Sequence, residues 1–223
     1  MSNSTSSRLG TAVRANSWRS WRSTRPSRLL ANIIGATGAG FFAWSGYRHF
    51  ITTHSLIGAG FWCAQLWVVA AYLVRRPARR ISTRARDWAL AAGGTFVGVL
   101  YRPIGLHLHW GVLLGTVLQV VGLALWAMSF AALGRSFGFA AADRGLQQRG
   151  PYAVVRHPLY TSYFLLQLGY VVQSLSWRNV SVMILVCGCD GARALVEERV
   201  LEHNIAYARY RQHVRWRCVP GVW

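Results

Sequence analysis

Long apolar runs alternate with short polar connections along most of this chain. Leu29–Tyr47 and Leu56–Val74 are the first two runs, separated by a turn that holds Arg48, His49 and His54. Trp88–Leu106 is a third, interrupted near its end by Arg102-Pro103. Trp110–Leu133 and Leu159–Trp177 are the fourth and fifth. A sixth starts at Asn179, stays apolar to Cys189, then turns amphipathic through Asp190, Arg193, Glu197 and Glu198. A helix needs about 20 apolar residues to cross a bilayer core. The pattern therefore predicts an all-α fold, a polytopic integral membrane helical bundle of about six spans. Ser176-Trp177-Arg178-Asn179 makes the last two runs a tight C-terminal helical hairpin. Glycines recur inside the runs (Gly35, Gly38, Gly58, Gly111, Gly115), as close helix packing in lipid requires.

Ahead of the first run, residues 1–28 are rich in Ser, Thr and Arg without apolar periodicity, which predicts a disordered tail. Leu29–Tyr47 is too long for the core of a signal peptide and is read as an anchor. The organisation expected is a tail (1–28), N-terminal transmembrane helices (29–133) and a C-terminal functional region (134–223). That last region comprises a loop, the hairpin and an emerging helix.

Composition supports the membrane reading. The chain is 53% hydrophobic and 14% charged, against roughly 45–50% and about 25% in soluble domains. The net charge is +19, and all 25 basic residues are arginine. Such a balance can mark nucleic-acid binding, but here the arginines cluster between apolar runs, which excludes that class. Six lie in the tail, six in residues 75–87, four in 134–158 and five in 196–223, against Arg48, Arg102 and Arg178 in the remaining connections. The positive-inside rule then favours six crossings with both termini cytoplasmic. It also puts the 134–158 loop and the Glu197-Glu198 pair on the same face.

Polar groups held at a membrane face are expensive, so they are functional candidates. Gly150-Pro151 reads as a turn, and Pro158 suits the first position of a helix with His157 as its N-cap. The free N–H groups of that first turn favour a carboxylate or phosphate, and Tyr152, Tyr160 and Tyr163 surround it. On spacing alone, capping and interfacial-belt roles fit His157 and Tyr160 as well. Glu197 and Glu198 point about 100° apart on a helix, so one can face a pocket while the other pairs with Arg193 or Arg199. A salt-bridged helix surface is the alternative. Asp190 is placed to pair with Arg193 three positions on. His107 and His109 read as solvated residues of the opposite face. No His/Cys/Asp cluster has metal-ligand spacing, and none of the four cysteines forms a C-x₂-C pair.

Read in order, Leu133-Gly134-Arg135, Gly150-Pro151-Tyr152, Arg156-His157-Pro158-Leu159-Tyr160, the hairpin, Arg193, Glu197-Glu198, Tyr207 and Tyr210 resemble a known family. It is the isoprenylcysteine carboxyl methyltransferase and phospholipid methyltransferase superfamily, and the resemblance covers roughly residues 130–217. It implies methyl transfer from S-adenosylmethionine to a lipophilic acceptor, an isoprenoid carboxylate or lipid-like small molecule, in a cofactor pocket at the cytoplasmic face. Carried over, Gly150, Pro151, Tyr152, His157, Pro158, Tyr160 and Glu197 contact the cofactor. Glu197, Glu198 and Arg156 form the catalytic group, with no metal. Asn204-Ile205-Ala206-Tyr207 stands where prenyl-protein enzymes carry a Phe-Phe-Gly run, which leaves a smaller lipid or isoprenoid metabolite open as acceptor. The expected partners are that acceptor and membrane lipids. Two rivals remain: a nicotinamide-dependent membrane reductase, since sterol reductases resemble the same C-terminal architecture, and a non-catalytic lipid-binding protein.

Overall fold

The computed structural model describes residues 25–82, 84–106 and 109–223. The tail up to residue 24 and His107 therefore lie outside the described residues. Among the described residues seven α-helices follow one another: α1 (Arg25–Thr53), α2 (Leu56–Val74), α3 (Ala85–Phe96), α4 (His109–Leu133), α5 (Pro158–Gln173), α6 (Trp177–Leu201) and α7 (Ile205–His213). Two short strands, β1 (Arg80–Ile81) and β2 (Ala142–Asp143), pair antiparallel.

Among the described residues, three segments are both long and apolar enough to cross a membrane: α2, α4 with the 3₁₀ turn that extends it to Ser136, and α6. Only 22–33% of each hydrophobic window is buried inside the protein. The outward side chains are nonetheless apolar, Leu113 and Phe41 being each 70% exposed. Contiguous apolar surface on this scale is unfavourable in water and suits hydrocarbon, so the bundle is that of a membrane protein. At 1.5 Å per residue, α3 and α5 extend roughly 18 and 24 Å, short of the roughly 30 Å core. The run expected as one span from Trp88 to Leu106 is not one helix. Helix α3 stops at Phe96, one 3₁₀ turn covers Val97–Leu100, and irregular chain follows. Pro103 keeps the chain from resuming helix after that turn, because it disfavours helical backbone at Arg102. At the other end, α1 starts at Arg25, four residues before the run that predicts it.

Helices α4 and α5 pack with their backbones nearly touching at Gly115 and Gly169. A Cβ on either glycine would collide with the carbonyl oxygen of the other. Beside this contact Gln119 donates to Gln173 Oε1 at 3.2 Å, and Gln173 donates to Thr116 Oγ1 at 3.0 Å. Below it, Trp126 and Phe130 stack in the core with Ala71, and the exposed Trp67 meets both rings edge-on.

The two ends of the bundle are built differently. At one, Leu106 and Leu175 form a bridge, and the fully buried Asn179 ties the two connections together. Its amide accepts from Arg102 N at 3.2 Å and donates to Arg102 O and Ser174 O, each at 2.8 Å. Ser176 caps α6 there by accepting from Asn179 N. At the opposite end three segments meet. Arg76 N donates to Arg135 O at 2.6 Å, β1 pairs with β2, and Arg156 N donates to Trp216 O at 2.9 Å. The connection after α2, the long loop after α4 and the C-terminal segment thus share one end, where the candidate residues lie.

Candidate functional site

Gly150 opens a 3₁₀ turn through Ala153 with φ +60°, a left-handed conformation that glycine adopts without strain. Shortly past that turn the backbone reaches His157, the N-cap of α5, with Pro158 at the first helical position as the sequence predicts. The His157 side chain makes no capping bond and turns toward α6. The C-terminal segment holds this corner: His157 N donates to Arg217 O at 2.7 Å, and Thr161 Oγ1 donates to Cys218 O at 2.7 Å.

The two glutamates of α6 meet different surroundings. Glu198 is buried, its side chain 5% exposed, and lies 3.0 Å from Arg156 and 3.1 Å from Arg217. His157 Nε2 is 3.3 Å from the same carboxylate. Its partners are therefore Arg156 and Arg217, neither of them the Arg193 or Arg199 that helical spacing offers. Arg217 is out of reach of any local pattern, since only the return of the C-terminal segment brings it there. Glu197, 29% exposed, accepts a 2.6 Å hydrogen bond from the Tyr160 hydroxyl and lies 3.8 Å from His157 Nδ1. The imidazole thus stands between both carboxylates. Arg193 pairs with Asp190 at 3.3 Å, as expected, and donates to Phe139 O at 3.1 Å. Its guanidinium also stacks 5.6 Å over the Tyr160 ring.

Helix α7, capped by Asn204 accepting from Ala206 N, closes the floor. Its Tyr210 hydroxyl donates to Tyr152 O at 2.6 Å, inside the protein. Burial pushes the Tyr210 hydroxyl up to about 12, although nearby Arg156 pulls the other way. Burial, then the Glu197 charge, raises Tyr152 well above its ordinary value. Both phenols stay neutral donors at physiological pH.

Two cavities open here. The smaller, about 140 Å³, is lined by Tyr152, Arg156, His157, Tyr160 and Glu197 among others. The larger, about 1420 Å³, runs between α1, α2, α4 and α5. Phe137, Gly138, Ala140, Arg144, Tyr163 and Arg193 wall both, so the cavities adjoin. Gly150, Pro151, Pro158 and Glu198 belong to neither wall. The first three shape the corner, and Glu198 holds the charges behind it. Two wall residues of the larger cavity carried no signal in the sequence beyond loop polarity: Arg75 and Arg144. Gly138, last residue of Leu133-Gly134-Arg135-Ser136-Phe137-Gly138, is the one hint, because a Cβ there would strike the Arg144 guanidinium.

These features define a helical membrane protein with charged and aromatic side chains gathered around a cavity at one end of the bundle. The sequence model of the phospholipid methyltransferase family matches residues 110–207, from α4 into α7. That family is part of the isoprenylcysteine carboxyl methyltransferase and phospholipid methyltransferase-like membrane methyltransferase superfamily, which the matched segment resembles. Methyltransferases of the family typically use S-adenosylmethionine. Among curated proteins none matches the chain significantly.

Proposed function

We propose that the protein transfers a methyl group from S-adenosylmethionine, held in the smaller cavity, to a lipophilic acceptor in the larger one. The acceptor is an isoprenoid carboxylate or a lipid-like small molecule. The observation that carries this reading is the adjacency of a small cavity walled by the half-buried carboxylate of Glu197, with His157 and Arg156, to a larger, mostly apolar one.

The residues present fit the cofactor's chemistry. Bound there, it supplies an electrophilic methyl group on a sulfonium cation. Glu197 offers that cation a carboxylate, and the Tyr160 and Tyr163 rings, 6.1 Å apart, offer π faces. Arg156, beside the N-terminus of α5, suits the cofactor's own carboxylate. Tyr152, His157 and Tyr160 complete the walls. A cavity of about 140 Å³ is below the roughly 300 Å³ at which small-molecule sites begin, so the ligand extends into the shared neck at Tyr163 and Arg193. Transfer is an in-line displacement, for which alignment and water exclusion are the main contributions. The aromatic and apolar neck supplies both. Should the acceptor be an amine, His157 is better placed to take its proton than Glu198, which Arg156 and Arg217 already occupy.

We further propose six crossings, with both termini and the site on the cytoplasmic face. The arginine distribution supports this, as does the meeting of the 75–84, 134–157 and C-terminal segments at one end.

The deciding experiment titrates the full chain, purified in detergent, with S-adenosylhomocysteine and with NADPH. The reading expects S-adenosylhomocysteine to bind and Glu197→Gln to weaken it at least tenfold. Binding of NADPH alone would establish the reductase instead. Binding of neither, with lipid retained, would establish a lipid-binding protein.

A further inference from the structure

The chain from Arg215 to Cys218 lies along the corner that opens α5, and it falls outside the matched family segment, which ends at residue 207. Four successive carbonyls of this stretch each take a hydrogen bond from that corner. Arg156 donates to Arg215 O from its guanidinium at 3.1 Å and to Trp216 O from its backbone at 2.9 Å. His157 N donates to Arg217 O and Thr161 Oγ1 to Cys218 O, each at 2.7 Å. The stretch is also held from behind. Trp223 O accepts from the backbone N–H groups of Arg217, Cys218 and Val219 at 2.9, 2.9 and 3.1 Å. The Trp223 ring lies 5.4 Å from the Arg217 guanidinium. Backbone and side chain of Arg217 are thus both fixed where they meet the site.

Arg217 divides the Glu198 carboxylate. Its Nε donates to Oε2 at 3.1 Å, while Oε1 faces His157 Nε2 at 3.3 Å and Arg156 at 3.0 Å. The terminal torsion of a glutamate is broad and roughly two-fold, so contacts at one oxygen alone do not fix the group. Removing Arg217 releases Oε2 and lets the carboxylate present both oxygens to the Arg156 fork, the bidentate geometry that this pair of groups favours. His157 then loses the partner that orients its ring, with Nδ1 3.8 Å from Glu197. Misplacing such a group by about 1 Å can cost about a hundredfold in rate.

We propose that Arg217 is a positioning residue: through Glu198 it fixes the His157 imidazole in the wall of the smaller cavity. The inference deepens the function proposed above and rests on it in taking that cavity as the cofactor's. The C-terminal stretch is then a working part of the site, supplied from beyond the matched segment.

The test reads the rate at which diethyl pyrocarbonate modifies each histidine of the full chain in detergent, resolved by peptide mass spectrometry. The same preparations are titrated with S-adenosylhomocysteine. Arg217→Met keeps most of the bulk and removes the donor. It is expected to raise the His157 rate and to weaken S-adenosylhomocysteine binding, each about tenfold, the contribution of one hydrogen bond to a charged group. His54, at the other end of the bundle, and His213, on α7, are exposed and keep wild-type rates. Arg217→Lys, which retains a cationic donor, recovers most of both effects. An unchanged His157 rate in Arg217→Met overturns the proposal, whatever S-adenosylhomocysteine does. So does an equal rise at His54 and His213, which would make Arg217 a support of the fold and not of the imidazole. If wild type binds no S-adenosylhomocysteine and His157 still depends on Arg217, the positioning stands and the cofactor reading falls. Should Arg217→Met not fold, Trp223→Leu removes only the ring beneath the guanidinium and decides by the same His157 rate.

Discussion

Removing the carboxylate of Glu198 and removing that of Glu197 have opposite consequences, although the residues are adjacent. Glu198 faces Arg156 at 3.0 Å, with side chains 5% and 6% exposed, and Arg217 at 3.1 Å, whose side chain is 30% exposed. Breaking a buried pair strands the partner charge and costs about 3–5 kcal/mol. The Arg217 pair, close to a third exposed, adds no more than about 1 kcal/mol. Glu198→Ala is therefore expected to lose about 3–5 kcal/mol of stability, and Glu198→Gln somewhat less because its amide oxygen still accepts. Glu197→Gln keeps an acceptor for the Tyr160 hydroxyl and is expected to lose under about 1 kcal/mol, yet to lose cofactor binding. Equilibrium unfolding in mixed micelles, followed by tryptophan fluorescence, measures the first quantity. Titration with S-adenosylhomocysteine measures the second. The double variant Glu198→Met with Arg156→Met should be more stable than Glu198→Met alone, because no buried charge is left over. If Glu198→Ala unfolds within about 1 kcal/mol of wild type, or if Glu197→Gln loses as much stability, the division between a holding and a binding glutamate is wrong.

Three further outcomes follow from the packing. Asn179→Ala leaves the buried Ser174 carbonyl without its donor and should cost about 2 kcal/mol, seen in the same unfolding assay and as faster amide exchange near Leu106. Gly169→Val forces α5 off Gly115 and should cost about 3 kcal/mol or more by overpacking; a loss under about 1 kcal/mol would mean the helices part easily. Gly138→Ala displaces the Arg144 guanidinium and should cost about 1–3 kcal/mol by overpacking, read in the same unfolding assay.

Much of this architecture is legible in the order of residues. Leu56–Val74 and Trp110–Leu133 are helices almost to the residue, because an unbroken apolar run in lipid must satisfy its backbone internally. Pro158 starts α5 where expected, because proline restricts its own φ whatever surrounds it. The Asp190–Arg193 pair is equally local. Trp88–Leu106 went otherwise: its apolarity reads as a span, while Pro103 and the short α3 leave broken helix, a conflict between two local signals that hydropathy alone does not resolve.

What the chain determined by itself was the set of apolar helices, the corner at Gly150–Tyr160 and the acidic pair on α6, all consequences of composition and short-range sterics. Only the tertiary structure decided which glutamate faces the pocket, since a helix's rotation about its axis is set by what packs against it. It also decided that Arg217 reaches Glu198 and that Arg75 and Arg144 line one cavity. These partners are 19 and 69 positions apart, and no local rule relates charges at such separation. They meet because burying the apolar faces of the helices brings the polar connections to one end, where each charge takes the neighbour that packing leaves it.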